Sequence, residues 1–196
     1  MNGMSIMRSS GRLLNAISAL FLLTATSLHA QEAARAGVPD ADARWHWYVH
    51  DLTGPGAWLG IGASVGYGQI TSTPPEWSNN GAGFAKRLAS GAGQLFVQET
   101  VHHGFAAALD HSTQYEKCHC EGAGRRIAHA FSATFQERDA SGDQTFAITR
   151  VGGVFSGAFS TLAWMPHTSV GTAALNGAVG LGLSVGGNIV RELLAH

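Results

Sequence analysis

Between Arg150 and Arg191 the chain runs for forty residues without a Lys, Arg, Asp or Glu. His167 is the only titratable side chain in that run, and Pro166 divides it. Basic charge is scarce elsewhere too, with 12 Lys and Arg against 13 Asp and Glu. Arg8 and Arg12 fall in a segment read below as cleaved, which leaves ten basic against thirteen acidic residues and a net charge of −3 with His neutral. Without a basic surplus to neutralise phosphates, nucleic acid is excluded as a partner class. The sequence has no H-E-x-x-H, no Walker loop and no G-x-G-x-x-G after a strand. It has no tandem repeat of fixed period. No catalytic residue and no cofactor is assigned on these grounds, and the reading leans away from an enzyme. Cysteine is limited to Cys118 and Cys120, and neither directly follows the cleavage point, so neither reads as a lipid attachment site.

What is present begins with a targeting segment. Arg8 and Arg12 supply a positive start, Leu13–Thr26 an apolar stretch too short for an anchor, and Ser-Leu-His-Ala a cleavage point after Ala30. Residues 1–30 therefore read as a secretory signal, and 31–44, small and polar, as a flexible lead-in. Residues 45–196 remain as one domain, long enough for a core of its own.

Glycine is abundant, 26 residues, and its spacing is regular. In the uncharged run Gly153 and Gly157 are four apart, as are Ala174, Ala178, Gly182 and Gly186, and beside them Gly180, Ser184 and Asn188. Glycine weakens a helix by about 1 kcal/mol relative to alanine, so a Gly-rich helix needs a packing reason. Small residues at i and i+4 let two helix backbones approach closely, which is how helices associate in lipid. Some twenty helical residues span a bilayer core of about 30 Å. The run therefore reads either as membrane-inserted or as a tight helical hairpin in a soluble core. The mean hydropathy of +0.05 is low for an integral protein. Strands of an outer-membrane barrel are a third reading, but the polar/apolar alternation they need is poor here.

Breaks at Gly54-Pro55-Gly56 and Pro74-Pro75 divide the rest. Ala57–Ile70 is a second Gly-rich apolar run, a partner helix or a strand. Gly83–Leu109 predicts an amphipathic helix with Ala85, Ala89, Gly93, Val97 and Val101 as its ridge, leaving Lys86, Arg87, Gln94, Gln98 and Glu99 to face elsewhere. Residues 122–136 predict a helix with Ile127, Ala128, Phe131 and Phe135 on one face. Arg138–Gln144 reads as a turn. The fold expected is mainly α, a single bundle of four or five helices packed through small-xxx-small ridges.

Two clusters have metal-ligand chemistry. Glu99, His102 and His103 share one helix face at i, i+3 and i+4. A Glu-x-x-His pair is half of the ligand set of a di-iron carboxylate bundle, which needs a second pair and two further carboxylates on neighbouring helices. Cys118, His119 and Cys120 offer thiolate and imidazole, suited to zinc or copper. One intervening residue is fewer than structural zinc pairs use, and two cysteines in an exported chain more often form a disulfide.

Pro74-Pro75-Glu76-Trp77, Gly83-Phe84-Ala85-Lys86-Arg87, Tyr115, Gly124-Arg125-Arg126-Ile127-Ala128-His129-Ala130, Trp164-Met165-Pro166 and Arg191-Glu192 resemble, in that order, an uncharacterised family of exported, Gly-rich helical bacterial envelope proteins. The likeness covers about residues 55–193. It implies an envelope location and one helical domain, and brings no activity or site residue with it. The expectation is a non-enzymatic protein of the periplasm or an envelope membrane, associated with that membrane through 151–190 in a structural or scaffolding role. A membrane or another helical protein is the expected partner, with a homo-oligomer possible. The alternative is a soluble periplasmic metal- or thiol-dependent binding protein.

Overall fold

The computed structural model describes residues 39–194, so the signal segment and the lead-in up to residue 38 lie outside the described residues. Helix α1 (Ala41–Thr53) starts four residues inside the expected lead-in, because Asp40 caps it by accepting the Ala43 N–H at 2.8 Å. Gly54 alone separates it from α2 (Pro55–Thr71), whose proline stands in the first turn, where a missing N–H costs no hydrogen bond. The loop to the next helix is fixed by a buried arginine. Arg87, only 5% exposed, donates to the backbone carbonyls of Thr73 at 2.8 Å, Trp77 at 2.6 Å and Ser78 at 3.3 Å. Asn80 caps α3 (Gly81–Leu109) through the Gly83 N–H.

An irregular polar stretch leads to α4 (Ala123–Thr134). The expected turn at 138–144 is the tip of an antiparallel hairpin, β1 (Gln136–Arg138) with β2 (Gln144–Phe146), in the register Glu137 opposite Thr145. Gly142 takes φ +84° there, a left-handed conformation that a side chain would strain. The uncharged run folds as α5 (Ile148–Ser160), a 3-10 turn over Thr161–Ala163, and α6 (Val170–Leu194). Ser169 opens α6 by accepting the Thr172 N–H. The fold is mainly α, as expected.

The principal helix contacts form a row. Helix α2 packs on α3, α3 on α5, α5 on α6 and α6 on α4, with α1 against α2 and α3. Apart from the α1–α2–α3 cluster, each helix packs on one or two neighbours and little large apolar side chain is enclosed. Burial follows from this. Nine apolar residues are buried among those described, and five of them are alanines, Ala106, Ala130, Ala147, Ala158 and Ala173. The largest fully buried side chains are Glu192, Thr134, Thr149 and Thr161. Among the described residues twenty-four large apolar side chains are exposed, Leu59, Ile70, Leu183 and Leu194 by more than 70%.

The facing of two helices departs from that expected. On α3 the buried stripe is Gly83, Arg87, Ser90, Glu99, His102, His103 and Ala106, whereas Ala85 and Ala89 lie outside and Gly93, Val97 and Val101 are only half-buried. On α4 Ile127 and Phe131 face outward, and Ala130 and Thr134 are the buried residues. The amphipathic rule assigns apolar faces inward because it takes water as the surroundings. Here the buried stripe of α3 is largely polar, and that of α4 is the small pair Ala130 and Thr134.

The small-residue ridges divide in the same way. A Cβ placed on Gly153 would lie 2.7 Å from His102 Cβ and 2.8 Å from the Gln98 carbonyl oxygen, and one on Gly157 would lie 2.8 Å from the Gln94 carbonyl oxygen. These two glycines set how closely α5 approaches α3. On α6, Gly177 abuts the Phe155 ring and Gly180 the Val154 side chain, and Asn188 donates to Thr134 Oγ1 at 2.9 Å. The other ridge behaves differently. Ala174 is half-buried, Ala178 is exposed, and a Cβ on Gly182 or Gly186 would meet nothing within 4 Å. As contacts between helices of this chain, Ala178, Gly182 and Gly186 are corrected. A helix in a row has an inner and an outer stripe, and they line the outer one.

Candidate functional site

The strongest polar cluster lies where α1 crosses α3. Helical spacing puts Glu99, His102 and His103 on one face, and their ligand atoms all lie within 4.8 Å of one another. All three are buried, at 8%, 7% and 9% exposure. Glu99 Oε2 is 3.4 Å from His102 Nδ1 and 3.7 Å from His103 Nε2. Helix α1 adds Asp51, whose Oδ2 is 3.1 Å from His103 Nε2. The sequence reading missed Asp51, which is 52 residues from His103 and carries no local signal. Burial would raise its carboxyl pKa, but hydrogen bonds from His103 and His50, with their charge, hold it below the usual carboxylate range.

The supports of this cluster are visible. Gln98 Nε2 donates to Glu99 Oε1 at 2.9 Å, and His50 Nδ1 lies 3.2 Å from Asp51 Oδ1. Each carboxylate thus has one oxygen engaged outside and the other turned to the histidines. The Tyr48 ring meets His103 edge-on at 5.6 Å, its hydroxyl tied to Thr100 Oγ1 at 3.0 Å. His102 Nε2 is buried without a hydrogen-bond partner.

Cys118 and Cys120 are joined as a disulfide, which takes both thiolates out of the second candidate set, and His119 is exposed beside them. Another Glu-x-x-His spacing, Glu116 with His119, does not complete a di-iron set. It lies in irregular chain, and Glu116 pairs with Arg138. Two G-x-S-x-G pentapeptides, 62–66 and 182–186, are interior to α2 and α6. Ser184 Oγ donates to the Gly180 carbonyl, so the strand-to-helix elbow that would present a nucleophilic serine is missing there.

A second buried group closes the far end of the row. Glu192, 2% exposed, accepts from the Tyr115 hydroxyl at 2.7 Å and the Cys118 N–H at 2.8 Å, with His129 Nδ1 at 3.3 Å. Arg191 stacks over the Tyr115 ring at 5.4 Å. Burial and the Glu192 carboxylate push the Tyr115 hydroxyl pKa well above its ordinary value. Between the two groups, Glu137 takes His111 Nδ1 at 2.6 Å and the Thr149 hydroxyl at 2.5 Å. Arg150 donates to the carbonyls of Ala133 at 3.2 Å and Thr134 at 3.1 Å. Burial lowers the Arg150 pKa, against the nearby charges of Glu137 and Glu99. Buried titratable groups are therefore spaced along the helix contacts, while the exposed surface carries both large apolar side chains and charged ones such as Lys86, Lys117 and Arg125.

Comparison with protein-family models, with curated proteins and with solved structures finds no match to this chain. By length and composition one helix among the described residues, Val170–Leu194, can cross a membrane.

Proposed function

We propose that this chain is a membrane-embedded helical protein of the bacterial envelope with a structural or scaffolding role, its apolar outer faces covered by lipid. The observation that carries this reading is the inverted distribution of side chains. Two dozen large apolar side chains are exposed among the described residues, a surface that lipid would cover at lower free energy than water. In lipid the same surface is at its lowest free energy, and interior polar groups find partners in one another. Helix α6, at 25 residues, is about 37 Å long, enough for a bilayer core of about 30 Å. Only 11% of its most apolar window is buried in the fold, unlike the core helix of a soluble protein. The outer stripe of Ala178, Gly182 and Gly186 then faces lipid or the same stripe of a second copy, a geometry that small residues permit.

The targeting segment and the resemblance to exported envelope proteins support the same location. The test is the behaviour of the processed full chain on purification. The reading expects detergent to be required for a monodisperse species and aggregation when detergent is withdrawn. A stable, monodisperse monomer in plain buffer would refute it.

A further inference from the structure

We infer that Asp51, Glu99, His102 and His103 form a binding site for a first-row divalent transition cation, with zinc the best match. The argument is geometric and does not depend on whether α6 contacts lipid. Zinc holds N and O ligands at about 2.0–2.2 Å, so the edges of its tetrahedron are about 3.3–3.5 Å. The contacts here are 3.1 Å for Asp51 to His103, 3.4 Å for Glu99 to His102 and 3.7 Å for Glu99 to His103. The 3.4 Å contact is a long hydrogen bond, and the 3.7 Å contact is beyond hydrogen-bond range. The ligand atoms of Glu99, His102 and His103 thus gather within 4.8 Å of one another, and Asp51 joins them through His103.

The set joins two imidazoles and two carboxylates, a combination that suits zinc and its first-row neighbours. An outer shell is in place. Gln98 engages Glu99 Oε1 and His50 engages Asp51 Oδ1, so Oε2 and Oδ2 are aimed at the histidines. Such partners orient ligands in metal sites. The Tyr48 ring fixes the plane of His103. The buried His102 imidazole has no hydrogen bond at Nε2. Its one recorded polar contact is at Nδ1, on the side of the cluster. Asp51, with its side chain 38% exposed, opens the site to solvent and gives an ion a way in. A bound ion would clamp α1 to α3.

The experiment uses the full processed chain, purified without a polyhistidine tag, stripped with chelator and then given Zn(II) or Co(II). One Zn per chain by elemental analysis, Co(II) visible bands of four-coordinate character and a Zn-dependent rise in Tm are expected. Loss of an outer-shell partner alone costs about 10–100-fold in metal affinity, so His102→Ala and His103→Ala should each weaken binding at least tenfold. Glu99→Gln keeps shape and helicity and carries the test if a histidine variant does not fold. His119→Ala, at an exposed position, should bind as the wild type does. Absence of stoichiometric uptake by the stripped wild type overturns the proposal. So does uptake that His102→Ala, His103→Ala and Glu99→Gln leave unchanged.

Discussion

Substituting alanine for glycine at four positions separates the inner from the outer stripes of the uncharged run. In an exposed helix the change stabilises by about 0.4–1 kcal/mol, through propensity and a less flexible unfolded chain. At Gly182 and Gly186 an added methyl meets nothing within 4 Å, so that gain should appear undiminished. At Gly153 the methyl would sit 2.7 Å from His102 Cβ and 2.8 Å from the Gln98 carbonyl oxygen, and at Gly157 2.8 Å from the Gln94 carbonyl oxygen. Two of those atoms are backbone and cannot rotate away, so α5 must move off α3. Over-packing of this kind costs about 1–3 kcal/mol, which exceeds the propensity gain. Gly153→Ala and Gly157→Ala should therefore lose about 1–2 kcal/mol net. The assay is unfolding of the four variants in one detergent, followed by circular dichroism. Equal effects at all four positions would refute the division of the run into inner and outer stripes.

Arg87→Ala removes the donors that hold the 72–80 loop to α3 and leaves buried carbonyls unpaired. Each such group costs about 1–3 kcal/mol, so a loss of at least about 3 kcal/mol is expected in the same unfolding assay. Glu192→Ala strands the Tyr115 hydroxyl and the Cys118 N–H. It should cost about 2–5 kcal/mol and raise proteolytic cleavage in the 110–122 segment, read by mass spectrometry. Tyr115 has a raised pKa in the fold. Its contribution to stability is thus complete below the ordinary value of 10.0 and is lost as pH rises through the folded value. Alkaline titration of tyrosinate absorbance in wild type and Tyr115→Phe checks this, since the difference between them should appear only above that ordinary value. An early difference would contradict the Tyr115–Glu192 bond.

Most helix boundaries were legible from punctuation, although α1 fell partly in the expected lead-in and α2 was left open as helix or strand. Gly54-Pro55, Pro74-Pro75 and Pro166 stop or start helices for steric reasons that hold in any solvent. The facing of α3 and α4 was not, because the apolar spacing of Ile127 and Phe131 assigns them inward whereas both are exposed. The cluster on α3 was legible in part. The spacing of Glu99, His102 and His103 is local and follows from the helical repeat, whereas Asp51 joins them only once α1 folds back. Glu192 beside the uncharged run was recognisable as a landmark, but its bonds to Tyr115 and Cys118 span more than seventy residues. No periodicity encodes a contact at that range.

The most direct test of the account is fractionation of cells expressing the full chain, followed by an alkaline carbonate wash of the membranes. The account predicts that the processed protein stays in the washed pellet and leaves it only in detergent. Release into the periplasmic or carbonate-soluble fraction would contradict it, and would mean that the apolar outer faces meet protein or water rather than lipid.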